Sequence, residues 1–487
     1  MLSAMTATQI VKDVTAKKLK AEEIIRQALD KAKIVQDKFN AFISIDDSAI
    51  DKAIELDNKI AAGKKPGRLA GVPIVIKDNI STNDLKTTAG SKILERFIPP
   101  YNATVVQRLI DEDAIIIAKA NLDEFGMGGS NENSAYGVAK NPWDDTRVPG
   151  GSSGGSAIAV ATGVVPIALG TDTGGSVRQP AAFCGVLGYK PTYGRLSRYG
   201  VIAYASSLDQ VGVLARNNQD IALAMDVMAG HDKQDSTSIK DDKPEFISQL
   251  NTLDDLSGLK IGIVSELSGE GNSQAVLKTL KKTKELLQEL GASVEEVSLK
   301  HSPYGIATYY LVAPAEASSN LARYDGMIYS NRVGENNIGQ VESMMNTRGK
   351  LFGPEVRKRV LMGSYALSAG YYDAYYGKAL KVRRLIANDF AKAFEAYDFL
   401  MTPTAPSAAY KIGEKTDDPL AMYLDDIDTV LANLVGIPAI SIPAGKTVDG
   451  LPIGIQFFAP ALKDESLISF AELLENNFEN FAKVADI

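Results

Sequence analysis

Cysteine is almost missing from this chain. Cys184 is the only one in 487 residues, so no intrachain disulfide can form, which fits a reducing compartment. Histidine is nearly as scarce, with only His231 and His301. His231 lies in the polar stretch AGHDKQDS, and His301 follows the charged strand end SLK. Both read as surface residues, so a Ser-His-Asp triad is not expected. No run of about 18 apolar residues occurs, and a membrane-spanning helix is not expected. The first thirty residues lack the apolar stretch of a signal peptide, and the chain reads as cytoplasmic. No block of Lys and Arg stands out against a net charge of −8. An acidic chain without a basic stripe does not hold a nucleic acid by counterion release.

What remains is ordinary globular material. Hydrophobic residues make up 45% and charged residues 23%, enough to bury a large core without disulfide staples. At roughly 150 residues per domain the length suggests about three domains, but large α/β enzymes run longer as one unit.

Residues 1–65 read as helices, with a capping box at Thr6-Ala-Thr-Gln9 and apolar residues at helical spacing from Leu19 to Asn40. From Gly71 the texture changes. GVPIVIKDNI (71–80), DAIIIAKA (113–120) and VVPIALG (164–170) read as buried strands, and VQRLIDED between the first two as a helix. Residues 231–256 form a polar connection. LKIGIV (259–264), an amphipathic helix over roughly 273–290 and ASVEEVSL (292–299) make a β-α-β pattern. Residues 306–400 are strongly helical. IPAISIPAG (437–445) and PIGIQFFA (452–459) restore strands before a terminal helix. The expected fold is α/β: one domain over 1–487, with a large, mainly parallel mixed sheet covered by helices on both faces and a helical insertion at about 306–400.

Chemistry-bearing residues concentrate between 148 and 192. Two Gly/Ser loops, GGSSGGS (150–156) and TDTGGS (171–176), flank one apolar strand. Each leads into a segment that reads as a helix, an arrangement that turns backbone N–H groups toward a phosphate or an oxyanion. Neither loop has the lysine of a phosphate-binding GxxxxGK[ST] loop, and neither matches GxGxxG. An activated serine is the alternative, and with histidine so scarce its base is expected to be a lysine. Such a lysine needs burial to disfavour its charged form. Lys77, at the end of VPIVI, meets that demand.

GVPIVIKDNI, GGSSGGSA and GTDTGGSVRQPAAFCGVLGYKPTYGR, in this order, resemble the amidase signature family, and the resemblance covers nearly the whole chain. It implies a signature core over about 71–215. It also implies a Ser-Ser-Lys triad: Ser176 as nucleophile, Ser152 as bridging serine at a cis peptide bond, and Lys77 as a base that is neutral at rest. The backbone amides of Thr173, Gly174, Gly175 and Ser176 would form the oxyanion hole. Asp172 and Arg178 read as braces of the loop, and Cys184 as a small buried residue.

EFGMGGSNENSAYGVAKNPWD (124–144) and GYYDAYYGKA (370–379) are more similar to glutamine-hydrolysing subunits of tRNA-dependent amidotransferases than to free-standing amidases. That resemblance implies glutamine as substrate. Arg359 would pair with its α-carboxylate, Asp426 with its α-ammonium, and Tyr310 would line the pocket. Arg357 and Asp425 are the neighbouring alternatives in the charged runs RKR and DDID. The chain itself would carry no metal or cofactor. A B subunit would activate the tRNA-linked carboxylate with ATP and Mg²⁺, a small C subunit would complete a heterotrimer, and the misacylated tRNA, Glu-tRNA(Gln) or alternatively Asp-tRNA(Asn), would be held mainly by the partner. A free-standing amidase for another small carboxamide, and a non-catalytic anion-binding scaffold, are the alternative readings.

Overall fold

The computed structural model describes residues 2–240, 244–329, 331–334, 339–416, 418–478 and 481–486. Among them, eleven strands form one sheet. They are β1 (Phe42–Ile45), β2 (Pro73–Lys77), β3 (Ile115–Ala120), β4 (Ile167–Asp172), β5 (Leu187–Lys190), β6 (Gln210–Ala215), β7 (Lys260–Val264), β8 (Ser293–Val297), β9 (Phe399–Pro403), β10 (Ala439–Lys446) and β11 (Pro452–Phe458). Their order across the sheet is β1-β3-β2-β4-β6-β5-β10-β11-β9-β7-β8. Every residue of β2, β3, β4 and β6 is buried. A strand buried at consecutive positions has both its faces covered, which is why these segments read as unbroken apolar runs.

The expected β-α-β unit is present: β7 pairs with β8 in parallel around the helix Gln274–Glu289. The sheet is less parallel than the sequence suggests, since six of its ten strand pairs are antiparallel. Parallel neighbours need a crossover connection, usually a helix. The links 191–209, from β5 to β6, and 447–451, from β10 to β11, contain no helix, and the chain simply reverses.

The N-terminal segment forms the helices Ala7–Thr15, Ala21–Phe39 and Ala49–Ala61. The Thr6 side chain caps the first by accepting from the Gln9 amide at 3.1 Å. Gln9 itself turns to Asp13 rather than back to the cap, so only half of the predicted capping box forms. The segment also contains β1, which the helical reading omits. Asn40, in the left-handed region at φ 52°, ends the second helix, and the four residues FISI then pair with β3. A four-residue strand is too short to display its own periodicity.

The late helices Gly305–Asn320, Pro354–Ala366 and Lys378–Ala393 share a second hydrophobic cluster with Phe125, Tyr204 and the helix Val430–Val435. No helix among the described residues is long and apolar enough to cross a membrane.

Candidate active site

Strands β2 and β4 lie side by side and parallel, and their C-terminal ends carry Lys77 and Thr171–Asp172. In open α/β sheets this end of the strands is where ligands bind. Lys77 is wholly buried. Its Nζ lies 2.7 Å from Ser152 Oγ, 3.0 Å from Thr171 Oγ1 and 3.2 Å from the Thr171 carbonyl. Among the described residues it has no ion-pair partner. Burial lowers its pKa to about 7, against the opposing pull of Asp123, Asp172 and Asp209. These contacts suit the neutral amine. Its two hydrogens satisfy the two Thr171 oxygens, leaving the lone pair to accept the Ser152 hydroxyl proton.

Ser152 is buried, and its bond to Gly151 is cis. Gly126, at φ 76°, faces its hydroxyl, and the Asp123 amide donates to its carbonyl at 3.3 Å. Asp123 also gathers the Asn131 and Asn133 amides, at 2.9 and 3.1 Å, so the 123–133 loop is folded around this carboxylate. The Ser153 amide donates to the Ser176 carbonyl at 3.1 Å and ties the two Gly/Ser loops together. Ser176 is 8% exposed, on the turn between β4 and the helix Arg178–Cys184.

Asp172 organises that turn. Its carboxylate accepts from the Gly175 amide (2.9 Å), the Val177 amide (3.2 Å), Arg178 Nη2 (2.9 Å) and Asn433 Nδ2 (2.9 Å). Burial alone would raise its pKa, but the Arg178 charge and hydrogen bonds outweigh it and hold the carboxyl at about 2. The pair is a loop brace, as its place beside Ser176 suggested. One predicted oxyanion donor must be corrected. The Gly175 amide is spent on Asp172, and among the described residues only the Thr173, Gly174 and Ser176 amides of this turn are unpartnered. The turn also has no room for side chains. A Cβ on Gly174 would meet the Tyr309 ring, and one on Gly175 the Thr429 side chain.

Arg359 is buried, although its neighbour Arg357 is exposed. The helix Pro354–Ala366 turns only Arg359 of the RKR run inward. There Nε donates to Glu355 at 2.8 Å and Nη1 to Tyr204 Oη at 2.7 Å, and the guanidinium lies 5.3–5.7 Å from the rings of Tyr204, Tyr310 and Tyr423. Asp426 accepts from Tyr310 Oη at 2.9 Å, whereas Asp425 turns to Lys415. The Asp426 pKa is raised to about 7, by burial first and then by Asp425 and Asp172, with Tyr310 and Arg359 opposing. A carboxyl in that state is ready to ionise beside an incoming ammonium.

Contacts join this cluster to the turn that carries Ser176. Tyr309 lies against Gly174, and Thr429 Oγ1 donates to the Gly174 carbonyl at 2.7 Å. Tyr204, Tyr309, Glu355, Thr429 and Asp123 escape a reading of the sequence. They meet the site only through long-range packing, and none stands in a motif. The histidines are half-buried and lie outside this hydrogen-bonded network, with His301 paired to Asp389 at 3.0 Å. Cys184 is buried and free, its thiol donates to the Pro149 carbonyl, and burial pushes its pKa far up.

An activated lysine, two serines on linked loops and a row of unpartnered amides define an amide-cleaving class of enzyme. The chain belongs to the amidase family, whose model (Amidase) matches residues 23–468. It is 50% identical over 482 residues to the A subunit of glutamyl-tRNA(Gln) amidotransferase from Trichodesmium erythraeum, covering 97% of this chain and 98% of that one. The same protein of Deinococcus deserti is 52% identical over 474 residues, covering 96% of each. The crystal structure of its counterpart from Thermotoga maritima superposes with a TM-score of 0.82 at 39% identity, covering 100% of this chain and 99% of that one.

Proposed function

We propose that this chain is the glutamine-hydrolysing subunit of a tRNA-dependent amidotransferase, a carbon–nitrogen ligase that converts Glu-tRNA(Gln) to Gln-tRNA(Gln). The observation that carries the chemistry is the contact between Lys77 and Ser152 in a site that favours the neutral amine. Ser176 Oγ attacks the side-chain amide carbon of glutamine, and its proton passes through Ser152 to Lys77. The developing oxyanion rests on the Thr173, Gly174 and Ser176 amides, each such donor contributing about 3 kcal/mol to the transition state. The proton returns through Ser152 to the leaving nitrogen. The C–N bond breaks, ammonia departs, and water then cleaves the ester on Ser176 to give glutamate.

Recognition of a free amino acid calls for one cation and one anion. Arg359 takes the α-carboxylate, a pairing that planar guanidinium suits, and Asp426, steered by Tyr310, takes the α-ammonium. The ammonia serves a partner subunit that uses ATP and Mg²⁺ on the tRNA-linked carboxylate, with a small third subunit in the complex. The test is ammonia release from glutamine by the purified chain, alone and with those subunits, ATP and misacylated tRNA. Strong stimulation supports this reading. Rapid hydrolysis of other amides with no response to the partners overturns it in favour of a free-standing amidase.

Two outcomes follow from the charges. Lys77 acts as a base only when neutral, and its pKa of about 7 lies below the ordinary lysine value. The kcat for glutamine, which reports groups in the substrate complex, therefore falls as pH drops through about 7 and levels off above it. A kcat independent of pH between 6 and 8 contradicts that assignment. Arg359→Gln removes the carboxylate partner and raises KM for glutamine by about 10²-fold or more, with a smaller effect on kcat. Steady-state kinetics over a wide glutamine range checks it.

A further inference from the structure

Glu124 lies outside the proton path from Ser176 to Lys77, yet it is buried and both its carboxylate oxygens are engaged. Oε1 accepts from Ser91 Oγ, and Oε2 accepts from the Gly353 amide at 2.8 Å. Gly353 is the cap of the helix Pro354–Ala366, the helix that turns Arg359 inward. The free N–H groups at a helix N-terminus favour a carboxylate there. A Cβ on Gly353 would strike Glu124 Oε2, so cap and carboxylate pack without slack.

The backbone around Glu124 is fixed to the other half of the site. The Asp123 amide donates to the Ser152 carbonyl, and Gly126 faces the Ser152 hydroxyl. The Glu124 amide donates to the Asn133 carbonyl at 3.1 Å, and the Phe125 amide to the Ala89 carbonyl at 2.8 Å. Consecutive residues, Asp123 and Glu124, thus hold Ser152 and the helix of Arg359. Among the described residues, the Gly353–Glu124 contact is the only hydrogen bond between the 123–133 loop and that helix or its cap. Phe125 meets Phe352 edge-on at the same joint. Ring packing leaves some freedom to slide, whereas a hydrogen bond fixes distance and direction. The separation matters. Glutamine has a set number of bonds between its α-carboxylate and its amide carbon, and a misplacement of about 1 Å costs up to about 10²-fold in rate.

We propose that Glu124 is a positioning residue for glutamine: it clamps the Arg359 helix to the loop that holds Ser152 and so sets the spacing between the α-carboxylate site and the amide site. This rests on glutamine being the substrate. The clamp works by reach and hydrogen bonding rather than by charge. Burial lifts the Glu124 pKa to about 7, against Ser91, the Gly353 amide and Arg357, and a glutamine side chain here can accept from Gly353 while donating to Ser91 Oγ.

The test compares two substrates on the full chain with its partner subunits. One is glutamine. The other is p-nitrophenyl butyrate, an activated ester that brings an acyl chain to Ser176 without α-groups and so does not need Arg359. Glu124→Asp shortens the clamp by one methylene, and Gly353→Ala pushes the carboxylate off the cap without altering Glu124. Each variant lowers kcat/KM for glutamine by about tenfold or more and leaves nitrophenolate release from the ester unchanged. Glu124→Gln, which keeps the reach and both contacts, recovers most of the glutamine activity. Equal losses on both substrates overturn the proposal, because the damage is then general. Undiminished glutamine turnover in either variant overturns it too, as does a Glu124→Gln enzyme no better than Glu124→Asp. A wild-type complex that cleaves the ester but not glutamine overturns the glutamine reading itself, and this inference with it, before any variant is compared.

Discussion

Ser176→Ala leaves a folded chain that binds glutamine and releases almost no ammonia. The alanine removes the only atom that would form the covalent bond. The pocket residues Tyr310, Arg359 and Asp426 stay in place, since none hydrogen-bonds the Ser176 side chain. Loss of a nucleophile from a concerted triad costs kcat on the order of 10⁴-fold or more, with a remainder left to the oxyanion donors and binding. Lys77→Ala and Ser152→Ala fall with it, and combining them with Ser176→Ala adds little, because the three act as a unit. Ammonia release, measured beside glutamine affinity on the same preparation, separates this outcome from general damage. Additive losses across the three variants would show that the proton does not pass along this chain of groups.

Arg178→Ala produces the largest loss of stability. Arg178 is fully buried and binds Asp172, Gln456 Oε1, the Thr429 carbonyl and Asn433 Oδ1 at 2.8–3.1 Å. Removing it leaves the Asp172 charge buried with its main counterion gone, a change that typically costs about 3–5 kcal/mol. The Asp172 pKa, now free of the guanidinium, moves upward, and protonation of the buried carboxyl relieves part of the penalty, so the stability gap between variant and wild type narrows as pH falls. The turn bearing Ser176 loosens as well, so activity falls even where the chain remains folded. Urea unfolding midpoints for the wild type and the variant check the first effect, and kcat under native conditions the second. A shift of less than about 1 kcal/mol would mean that the remaining partners of Asp172 suffice.

The sequence makes the proposed triad of Lys77, Ser152 and Ser176 readable because the chemistry assigned to it is local. A glycine-rich loop must border the nucleophile whatever surrounds it, and an apolar strand must bury the lysine. Arg359 is harder to read. Three basic residues in a row look alike, and only the phase of the helix turns one of them inward toward Glu355. Asp426 and Asp425 differ in the same way, by which side of a turn each occupies. Tyr204 and Tyr309 leave no trace in the sequence, since each reaches the site from an element remote from the signature loops. The sheet follows the same logic. Strands with unbroken apolar runs are evident, but their directions depend on connections such as 191–209, where the absence of a helix decides the pairing. The commitment of the Gly175 amide to Asp172 is likewise a matter of loop geometry, which the residue types TDTGGS leave open.

The central claim, that glutamine is cleaved through an ester on Ser176 with Lys77 as base, has one direct test. Glutamine turnover is quenched in acid within the first cycle, the chain is digested, and the peptides are mapped by mass spectrometry. A γ-glutamyl adduct on the peptide carrying Ser176, absent from Ser176→Ala and much reduced in Lys77→Ala, is the predicted result. An adduct on another residue, or a burst of ammonia with no adduct at all, would contradict it.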